Sequence, residues 1–189
     1  MEGKLYQQFK VAAEGVGAEV YRVEGPEQAL ELITGILREW ESRKRDKRLQ
    51  VVWKKGSITS GLATKPAIKG IIYEKELSFR AREADVGIAE GDLAIADTGT
   101  IVQDATDVEK RYVTTLPELN ILLVRTTAIV ADMEEAFARL RPGRIPFLAF
   151  ITGPSRTADI ERVLTLGVHG PEWLHVICVD EGGSRNGQG

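Results

Sequence analysis

The stretch ITGPSRTADIERVLTLGVHGP, residues Ile151–Pro171, combines a strand end, a tight turn and a predicted helix. The continuous apolar run Phe147–Ile151 predicts a buried strand that leads into it. Gly153 allows the chain to turn sharply after that strand, and Ser155 or Thr157 can cap the helix that the next residues predict. A strand followed by a turn and a helix is the repeating unit of α/β sheets, so this stretch indicates that fold class.

Apolar strands and amphipathic helices alternate over the rest of the chain as well. Apolar residues at helical spacing predict helices over residues 3–15, 26–45 and 133–140, whereas the polar residues 104–109 predict a loop. Short apolar or β-branched runs predict strands at Ala18–Val23, Leu49–Trp53, Ile71–Tyr73, Val86–Ala89, Ile121–Val124 and Leu174–Val179. We therefore expect an α/β fold with a mostly parallel sheet flanked by helices.

Residues 92–103 are the expected exception to the parallel arrangement. The apolar runs Leu93–Ala96 and Thr100–Gln103 are separated by Asp97–Gly99, whose sequence DTG favours a turn. Two apolar runs joined by a short turn predict an antiparallel hairpin.

The composition is that of a soluble globular domain, with 43% hydrophobic and 28% charged residues. We expect one domain over residues 1–180, with an N-terminal helix in residues 1–16 and a disordered tail over 181–189. A net charge of -3 provides no field to attract nucleic acid or an anionic membrane. The basic run Arg43–Arg48 is interpreted as a solvated helix end whose cations complement the helix dipole, rather than as a nucleic-acid site.

The chain has one cysteine, Cys178, which lies in an apolar run. A single cysteine forms no internal disulfide, is typical of a reducing compartment, and excludes a cysteine-ligated zinc or iron–sulfur site in this chain. The N-terminal residues do not resemble a secretory signal, and no apolar run approaches the ~20 residues that span a bilayer. We therefore expect a cytoplasmic location.

Two polar segments are predicted to line one ligand-binding cleft. Ligands of open α/β sheets bind beyond the carboxyl ends of strands, where we expect Gly153–Thr157 to lie. Arg156 offers a forked donor for a carboxylate or phosphate, and the hairpin turn offers hydroxyls and closely approachable backbone. The alternatives are that these residues only cap and turn the chain, and that Arg156 is a surface charge. The ligand-binding candidates are Asp97, Thr98, Gly99, Thr100, Gly153, Ser155, Arg156, Thr157 and His169.

His169 is a catalytic candidate because the sequence GVHGP places it in a loop, where it can transfer a proton or contact a ligand. The alternative is a structural hydrogen bond that fixes the turn. His175 lies in the last predicted strand and is interpreted as a packed or edge residue. Glu90 and Asp92 alone are a weak metal signal, so no metal site is predicted. No Walker loop, dinucleotide fingerprint, H-E-x-x-H or G-x-S-x-G motif is present.

Three segments together resemble the LUD-domain family, and most closely its lactate-utilisation protein C (LutC) group. They are IADTGTIV at 95–102, LPELNILLV at 116–124 and ITGPSRTADIERVLTLGVHGPEWLHVICVD at 151–180. The resemblance covers residues 85–180, and its most specific part is the combination of GPSRTADIE with GVHGP. It implies the fold shared by glucosamine-phosphate isomerase (NagB), ribose-phosphate isomerase (RpiA) and CoA transferases.

The resemblance also implies a function in bacterial oxidation of L-lactate to pyruvate. The chain would be an accessory subunit that binds a small organic anion in the strand-end cleft and is not a catalyst by itself. Its expected partners are an iron–sulfur protein with its own LUD domain and a second lactate-utilisation subunit. The iron–sulfur clusters are expected on the partner, and no cofactor is expected on this chain.

Two other functions remain open at this point. One is a stand-alone isomerase or CoA/acyl-transfer enzyme of the same fold group, with His169 or a carboxylate as the acid/base. Glu90 is the positional candidate for the catalytic glutamate of CoA transferases. The other is a purely structural partner whose polar loops form an interface.

Overall fold

The described residues of the computed structural model are 2–44, 47–62, 64–158, 164–166 and 170–181. Their helices are α1 (Glu2–Gly15), α2 (Pro26–Arg43), α3 (Leu77–Arg80), α4 (Val108–Thr115) and α5 (Met133–Leu140), with 3-10 turns at Thr126–Ala128 and Pro142–Arg144. Their strands are β1 (Glu19–Val23), β2 (Gln50–Trp53), β3 (Ile71–Tyr73), β4 (Val86–Glu90), β5 (Leu93–Ile95), β6 (Thr100–Asp104), β7 (Leu119–Arg125), β8 (Ile129–Val130), β9 (Leu148–Ile151), β10 (Arg156–Ala158), β11 (Leu164–Leu166) and β12 (Trp173–Val179).

The larger sheet has six strands in the order β1-β12-β7-β4-β2-β3, and all of its neighbouring pairs are parallel. Its central strand β7 has the sequence LNILLVR and is buried on both faces, as the continuous apolar run requires. One face packs against Ile33, Leu37 and Trp40 of α2. The opposite face packs against Phe9 of α1 and against the smaller sheet. The predicted mostly parallel α/β sheet is therefore confirmed.

The smaller sheet has four strands in the order β8-β5-β6-β9. β5 and β6 form the predicted antiparallel hairpin, in which Ala94 is paired with Ile101. Residues Ala94 and Ile101 face the core shared with α1, whereas Ile95 and Val102 face α5. The period-two alternation of strand side chains therefore lets this sheet fill the space between α1 and α5.

The structure corrects the prediction that Phe147–Ile151 belongs to the parallel sheet. β9 pairs antiparallel with β6 and forms an edge of the smaller sheet, with Ile101 opposite Ile151. The prediction that this strand is buried is also wrong, because an edge strand keeps Phe150 exposed and its neighbours only half-buried. An apolar run carries no information about which strand it pairs with. The segment after β9 therefore does not lie at the carboxyl end of a parallel strand.

The predicted helix after Gly153 is also wrong for the residues that the structure describes. β10 and β11 form an antiparallel pair with Thr157 opposite Thr165. Threonine is β-branched and favours strands, and here the inter-strand backbone bonds replace those of a helix. Residues 159–163 and 167–169, which include His169, lie outside the described residues. So do residues 182–189 of the tail predicted over 181–189, whereas Glu181 is described and pairs with Arg125 at 3.4 Å.

Helix α4 occupies a region where the sequence predicted a polar loop at 104–109. The Asp107 side chain accepts a hydrogen bond from the Glu109 amide (2.9 Å) and caps the helix. The Asp132 side chain caps α5 in the same way, because it accepts a hydrogen bond from the Glu135 amide at 2.9 Å. Of the basic run, Arg43 ends α2 and pairs with Glu39, and residues 45–46 lie outside the described part.

Candidate functional site

The strand order creates a crevice between β2 and β4. These strands are neighbours, yet β2 is followed along the chain by β3 on one side of the pair, whereas the next strand of this sheet after β4 is β7 on the other side. Ligands of open α/β sheets bind outside the carboxyl ends of strands where connections diverge in this way. The segments that follow β2, β4 and β7 are therefore the first place to look for a site.

A cavity of about 270 Å³ lies at these three strand ends. Its lining is unusually charged for a chain of net charge -3, because four cations face only two carboxylates. The lining residues are Lys54, Lys55, Gly56, Ser57, Ile58, Glu90, Gly91, Asp92, Lys110, Arg125 and Ala128. We call this space the strand-end cavity.

The three lysines of the strand-end cavity are held by oxygen atoms. The Lys54 Nζ lies 2.7 Å from carboxylate oxygens of both Asp107 and Glu109. The hydrogen bond with Asp107 raises the pKa of Lys54, and the same contact lowers the pKa of Asp107. Lys55 pairs with Glu74 at 3.3 Å, and the Lys110 Nζ donates to the Asp104 carbonyl at 2.9 Å. These contacts fix positive charge at the rim.

Arg125, the last residue of β7, is held more loosely than the lysines. Its guanidinium lies 3.4 Å from the Ser57 carbonyl and hydroxyl oxygens and 3.4 Å from a Glu181 carboxylate oxygen. These distances are at the long limit for a hydrogen bond. A guanidinium can bind a carboxylate through two parallel bonds, so Arg125 has donors suited to a small anion in the cavity.

Glu90, the catalytic candidate, ends β4 and turns its carboxylate into the loop that follows β2. Oε1 accepts hydrogen bonds from the Gly56 amide (3.1 Å), the Thr59 amide (2.9 Å) and the Thr59 hydroxyl (2.6 Å), and Oε2 accepts from the Ile58 amide (2.9 Å). A Cβ at Gly56 would collide with this carboxylate, so a larger residue there would displace the Glu90 side chain. In this arrangement both oxygens of Glu90 are already engaged by the protein.

The two segments predicted to share a cleft do meet, but they meet over helix α1. The Thr100 hydroxyl lies 2.8 Å from the hydroxyls of both Thr98 and Thr152. A Cβ at Gly99 would collide with the backbone of Ala13, and one at Gly153 would lie 2.6 Å from the Val16 carbonyl oxygen. We call this region, in which residues 97–100 and 152–153 pack on the end of α1, the hairpin contact.

The hairpin contact is separate from the strand-end cavity, whose lining contains neither Asp97–Thr100 nor Gly153 and Ser155. Asp97 and Thr98 are exposed, and the Ser155 amide donates to the Pro171 carbonyl at 2.7 Å. The side chains of Arg156 and Thr157 lie outside the described part, as does all of His169. The role of these residues in ligand binding remains a prediction.

The sequence reasoning overlooked Lys54, Lys55 and Arg125. Each follows directly on a predicted buried strand, LQVVW or ILLV, so the rule that ligands bind at strand ends applied to them as well. Lys110 was overlooked because it lies on α4, which the sequence did not predict.

Two other cavities occur in the described part of the chain. One, of about 510 Å³, lies between α1 and α5, and its charged residues Glu135 and Arg139 pair with each other at 2.6 Å. The other, of about 150 Å³, surrounds His175, which stacks on Tyr21 and whose pKa is lowered by burial. The smaller cavity lies at the amino ends of β1 and β12, and the larger one borders the carboxyl end of β7 through Thr126 and Thr127.

Among the described residues, Cys178 and the acidic groups outside the three cavities form no further reactive centre. Cys178 is fully buried, and burial raises the pKa of its thiol to about 12, so the nucleophilic thiolate is not formed at neutral pH. Within the described ranges, no three histidine, cysteine, aspartate or glutamate side chains are grouped so as to hold a metal ion. No helix of these ranges is long and apolar enough to cross a bilayer.

Fold and cavity together define an α/β domain with a charged crevice at the carboxyl edge of its parallel sheet. The family model of the LUD domain matches residues 6–179. This chain therefore belongs to the LUD domain family, as the sequence resemblance predicted.

The relatives of this chain include several proteins named Lactate utilization protein C. The one from Shouchella clausii is 38% identical over 127 residues, which cover 62% of this chain and 55% of that protein. The one from Geobacillus kaustophilus is 39% identical over 107 residues, which cover 53% of this chain and 45% of that protein. The chain thus spans about half the length of the curated relatives it matches.

A solved structure shares the fold. The crystal structure of a DUF162 family protein from Deinococcus radiodurans superposes with a TM-score of 0.62 at 23% identity, covering 95% of this chain and 98% of that one. At this identity the similarity supports the fold assignment alone.

Proposed function

We propose that this chain is a component of an L-lactate oxidation system and binds a small carboxylate, such as lactate or pyruvate, in the strand-end cavity. The relatives named Lactate utilization protein C support the metabolic setting. The observation that supports the ligand class is the loosely held guanidinium of Arg125 in a cavity whose lining has more cations than carboxylates. A carboxylate is the anion that this donor recognises through two bonds.

The size of the strand-end cavity is consistent with a three-carbon hydroxy or keto acid. Its volume of about 270 Å³ corresponds to that of roughly nine water molecules in the liquid. A small acid therefore fits with space for bridging water, whereas a bulky ligand would extend into solvent.

In this proposal the electron-transfer chemistry belongs to partner subunits in the cytoplasm. Oxidation of lactate needs an electron acceptor, and the single, buried Cys178 cannot ligate an iron–sulfur cluster by itself. We therefore place the clusters on an iron–sulfur protein that has its own LUD domain and acts with a second lactate-utilisation subunit. This chain would supply a ligand-binding, cluster-free subunit.

Calorimetric titration of L-lactate and pyruvate tests the site. We expect the purified chain to bind at least one of them, and Arg125→Gln to weaken that binding by about tenfold or more, or roughly 1.4 kcal/mol. Arg43→Gln is the matched control, because Arg43 is an ion-paired arginine at the end of α2 and should leave binding unchanged. Unchanged binding in Arg125→Gln would contradict the proposed site, and absence of binding to the unmodified chain would contradict the ligand class.

A second candidate function is a stand-alone isomerase or CoA/acyl-transfer enzyme. The observation that favours it is a carboxylate, Glu90, among the cations of a strand-end cavity. Turnover of sugar phosphates or CoA thioesters by the isolated chain, lost in a folded Glu90→Gln variant, would support this function over the first.

A further inference from the structure

The loop after β2 forms a seat for one carboxylate. Three backbone amides, those of Gly56, Ile58 and Thr59, converge with the Thr59 hydroxyl on the two oxygens of Glu90 at 2.6–3.1 Å. Converging backbone amides of this kind bind anions through their geometry and not through the identity of the anion. Glu90, which fills the seat, is itself part of the cavity lining.

The seat is held in shape by bonds that do not involve Glu90. The Ser60 amide donates to the Gly56 carbonyl at 2.9 Å, and the Leu62 amide donates to the Thr59 carbonyl at 3.2 Å. Thr59 is fully buried, so its hydroxyl is fixed by packing. Preorganised donors of this kind remain in position when their acceptor leaves.

We propose that this backbone seat is the anion site of the strand-end cavity, that Glu90 occupies it in the ligand-free chain, and that the carboxylate of a ligand displaces Glu90 from it. The proposal rests on the proposed function for the class of ligand. It places the ligand carboxylate in the seat, so that Arg125 attracts the ligand from the wall of the same cavity and does not bind both carboxylate oxygens. A ligand carboxylate presents the same two oxygens to the same donors, so the hydrogen bonds are exchanged one for one.

The displaced Glu90 carboxylate can pair with cations of the strand-end cavity. Lys55, Lys110 and Arg125 line the same cavity, and of these Arg125 has the longest contacts with its present partners, at 3.4 Å. Glu90 would then exchange backbone amides for cations and solvent while the ligand fills the seat. The free carboxylate of Glu90 would become available to the cavity only when a ligand is bound.

Substitutions that remove the Glu90 carboxylate distinguish this proposal from a purely structural role of Glu90. If Glu90 competes with ligand, its removal tightens the binding of external anions. If Glu90 only holds the loop, its removal loosens the cavity and weakens that binding. The two accounts therefore predict changes of opposite sign.

The experiment titrates formate, acetate and pyruvate into the unmodified chain, Glu90→Ala and Glu90→Gln, with calorimetry and thermal denaturation as readouts. We expect Glu90→Ala to bind formate about 10- to 100-fold more tightly, as for a latch that is closed roughly 90–99% of the time. Formate should also raise the thermal unfolding temperature of Glu90→Ala far more than that of the unmodified chain. Glu90→Gln keeps one acceptor oxygen, so its formate affinity should lie between those of the unmodified chain and Glu90→Ala.

Glu135→Ala is the matched control because it also removes a carboxylate that accepts a backbone amide, that of Ala131 at 2.9 Å, but it lies on α5 outside the strand-end cavity. Its formate affinity should stay within about threefold of the unmodified chain. An equal gain in Glu135→Ala, or no gain in a folded Glu90 variant, would overturn the proposal. If both Glu90 variants fail to fold, formate in the refolding buffer should restore folding, and failure to do so would overturn it as well.

The outcomes for this inference and for the proposed function are distinguishable. If Glu90→Ala binds formate tightly but the unmodified chain binds neither lactate nor pyruvate, the backbone seat is supported as an anion site and the proposed ligand is contradicted. If pyruvate binding depends on Arg125 but does not tighten in Glu90→Ala, the proposed ligand is supported and the displacement of Glu90 is contradicted.

Discussion

The strand-end cavity and the hairpin contact use polar residues in opposite ways. The hairpin contact has the more conspicuous sequence, with threonines and glycines at turns, and its residues pack against one another and against α1. The strand-end cavity is lined by charged residues that simply follow apolar strands. A polar motif in a turn can therefore serve packing, while the chemically capable side chains lie where the strand order brings strand ends together.

The largest effect is expected from Gly99→Ala in the hairpin contact. Gly99 has φ 66°, and a Cβ there would collide with the α1 backbone at Ala13. Left-handed strain and overpacking together should lower the free energy of unfolding by about 2–5 kcal/mol, as measured by urea denaturation.

The control for this variant is Gly35→Ala in α2, where a Cβ meets no atom within 4 Å. It should be stabilising by up to about 1 kcal/mol, because alanine favours a helix interior. A Gly99→Ala chain as stable as the unmodified chain would mean that the hairpin contact is not built around α1.

Thr59→Val tests the loop of the strand-end cavity. The substitution removes the 2.6 Å hydrogen bond to Glu90 from a fully buried position, which should cost about 1.5–3 kcal/mol in urea denaturation. Thr34→Val, whose hydroxyl bonds the Leu30 carbonyl within α2, should cost less than about 0.5 kcal/mol. Equal losses in the free energy of unfolding would show that the hydrogen bond to Glu90 stabilises the chain no more than an ordinary helix hydroxyl bond.

Thr100→Val sharpens the contrast between the two regions. Thr100 is buried and links Thr98 to Thr152, both of which are exposed and can bond water instead. We expect a loss of about 1 kcal/mol in stability and no change in carboxylate affinity by calorimetry. A large loss of affinity would place the ligand at the hairpin contact.

Lys54→Met should have the smallest effect, and that effect should depend on pH. The ion pair with Asp107 is partly exposed, so its loss should cost less than about 1 kcal/mol at pH 7. The folded-state pKa of Asp107 is lowered by Lys54, so the stabilisation is complete above the unfolded-state pKa and is lost as pH falls through the folded-state value.

The stability difference between the unmodified chain and Lys54→Met should accordingly narrow in thermal denaturation as the pH falls below about 4. Lys4→Met, at an exposed position on α1, should show no such narrowing. A difference that is constant over this range would exclude Asp107 as the titrating partner.

Much of the fold could be predicted from the sequence because a strand that is buried on both faces has a continuous run of apolar residues. The run ILLV within β7 and the run LQVVW ending in β2 identify the buried parallel strands, and DTG identifies the hairpin turn. The partner of β9 could not be predicted, since its apolar run is compatible with either sheet. The β10–β11 pair was mistaken for a helix because capping residues also occur in turns.

The candidate site was harder to predict than the fold. Glu90 was identified as a candidate, but its four hydrogen bonds come from a loop more than 30 residues away in sequence. Arg125 becomes conspicuous only when β7 is known to lie beside β4, and a single sequence does not give strand order. Motif chemistry is local, whereas this cavity is assembled from three separate strand ends.

The most direct test of the strand-end cavity as the ligand site is an amide chemical-shift titration of the isotope-labelled chain with pyruvate up to saturation. We predict that the largest shifts occur at residues 54–59, 90–92 and 125–128, with little change at residues 97–100. Shifts concentrated at residues 97–100 and 152–157, or no shifts at all, would contradict the account.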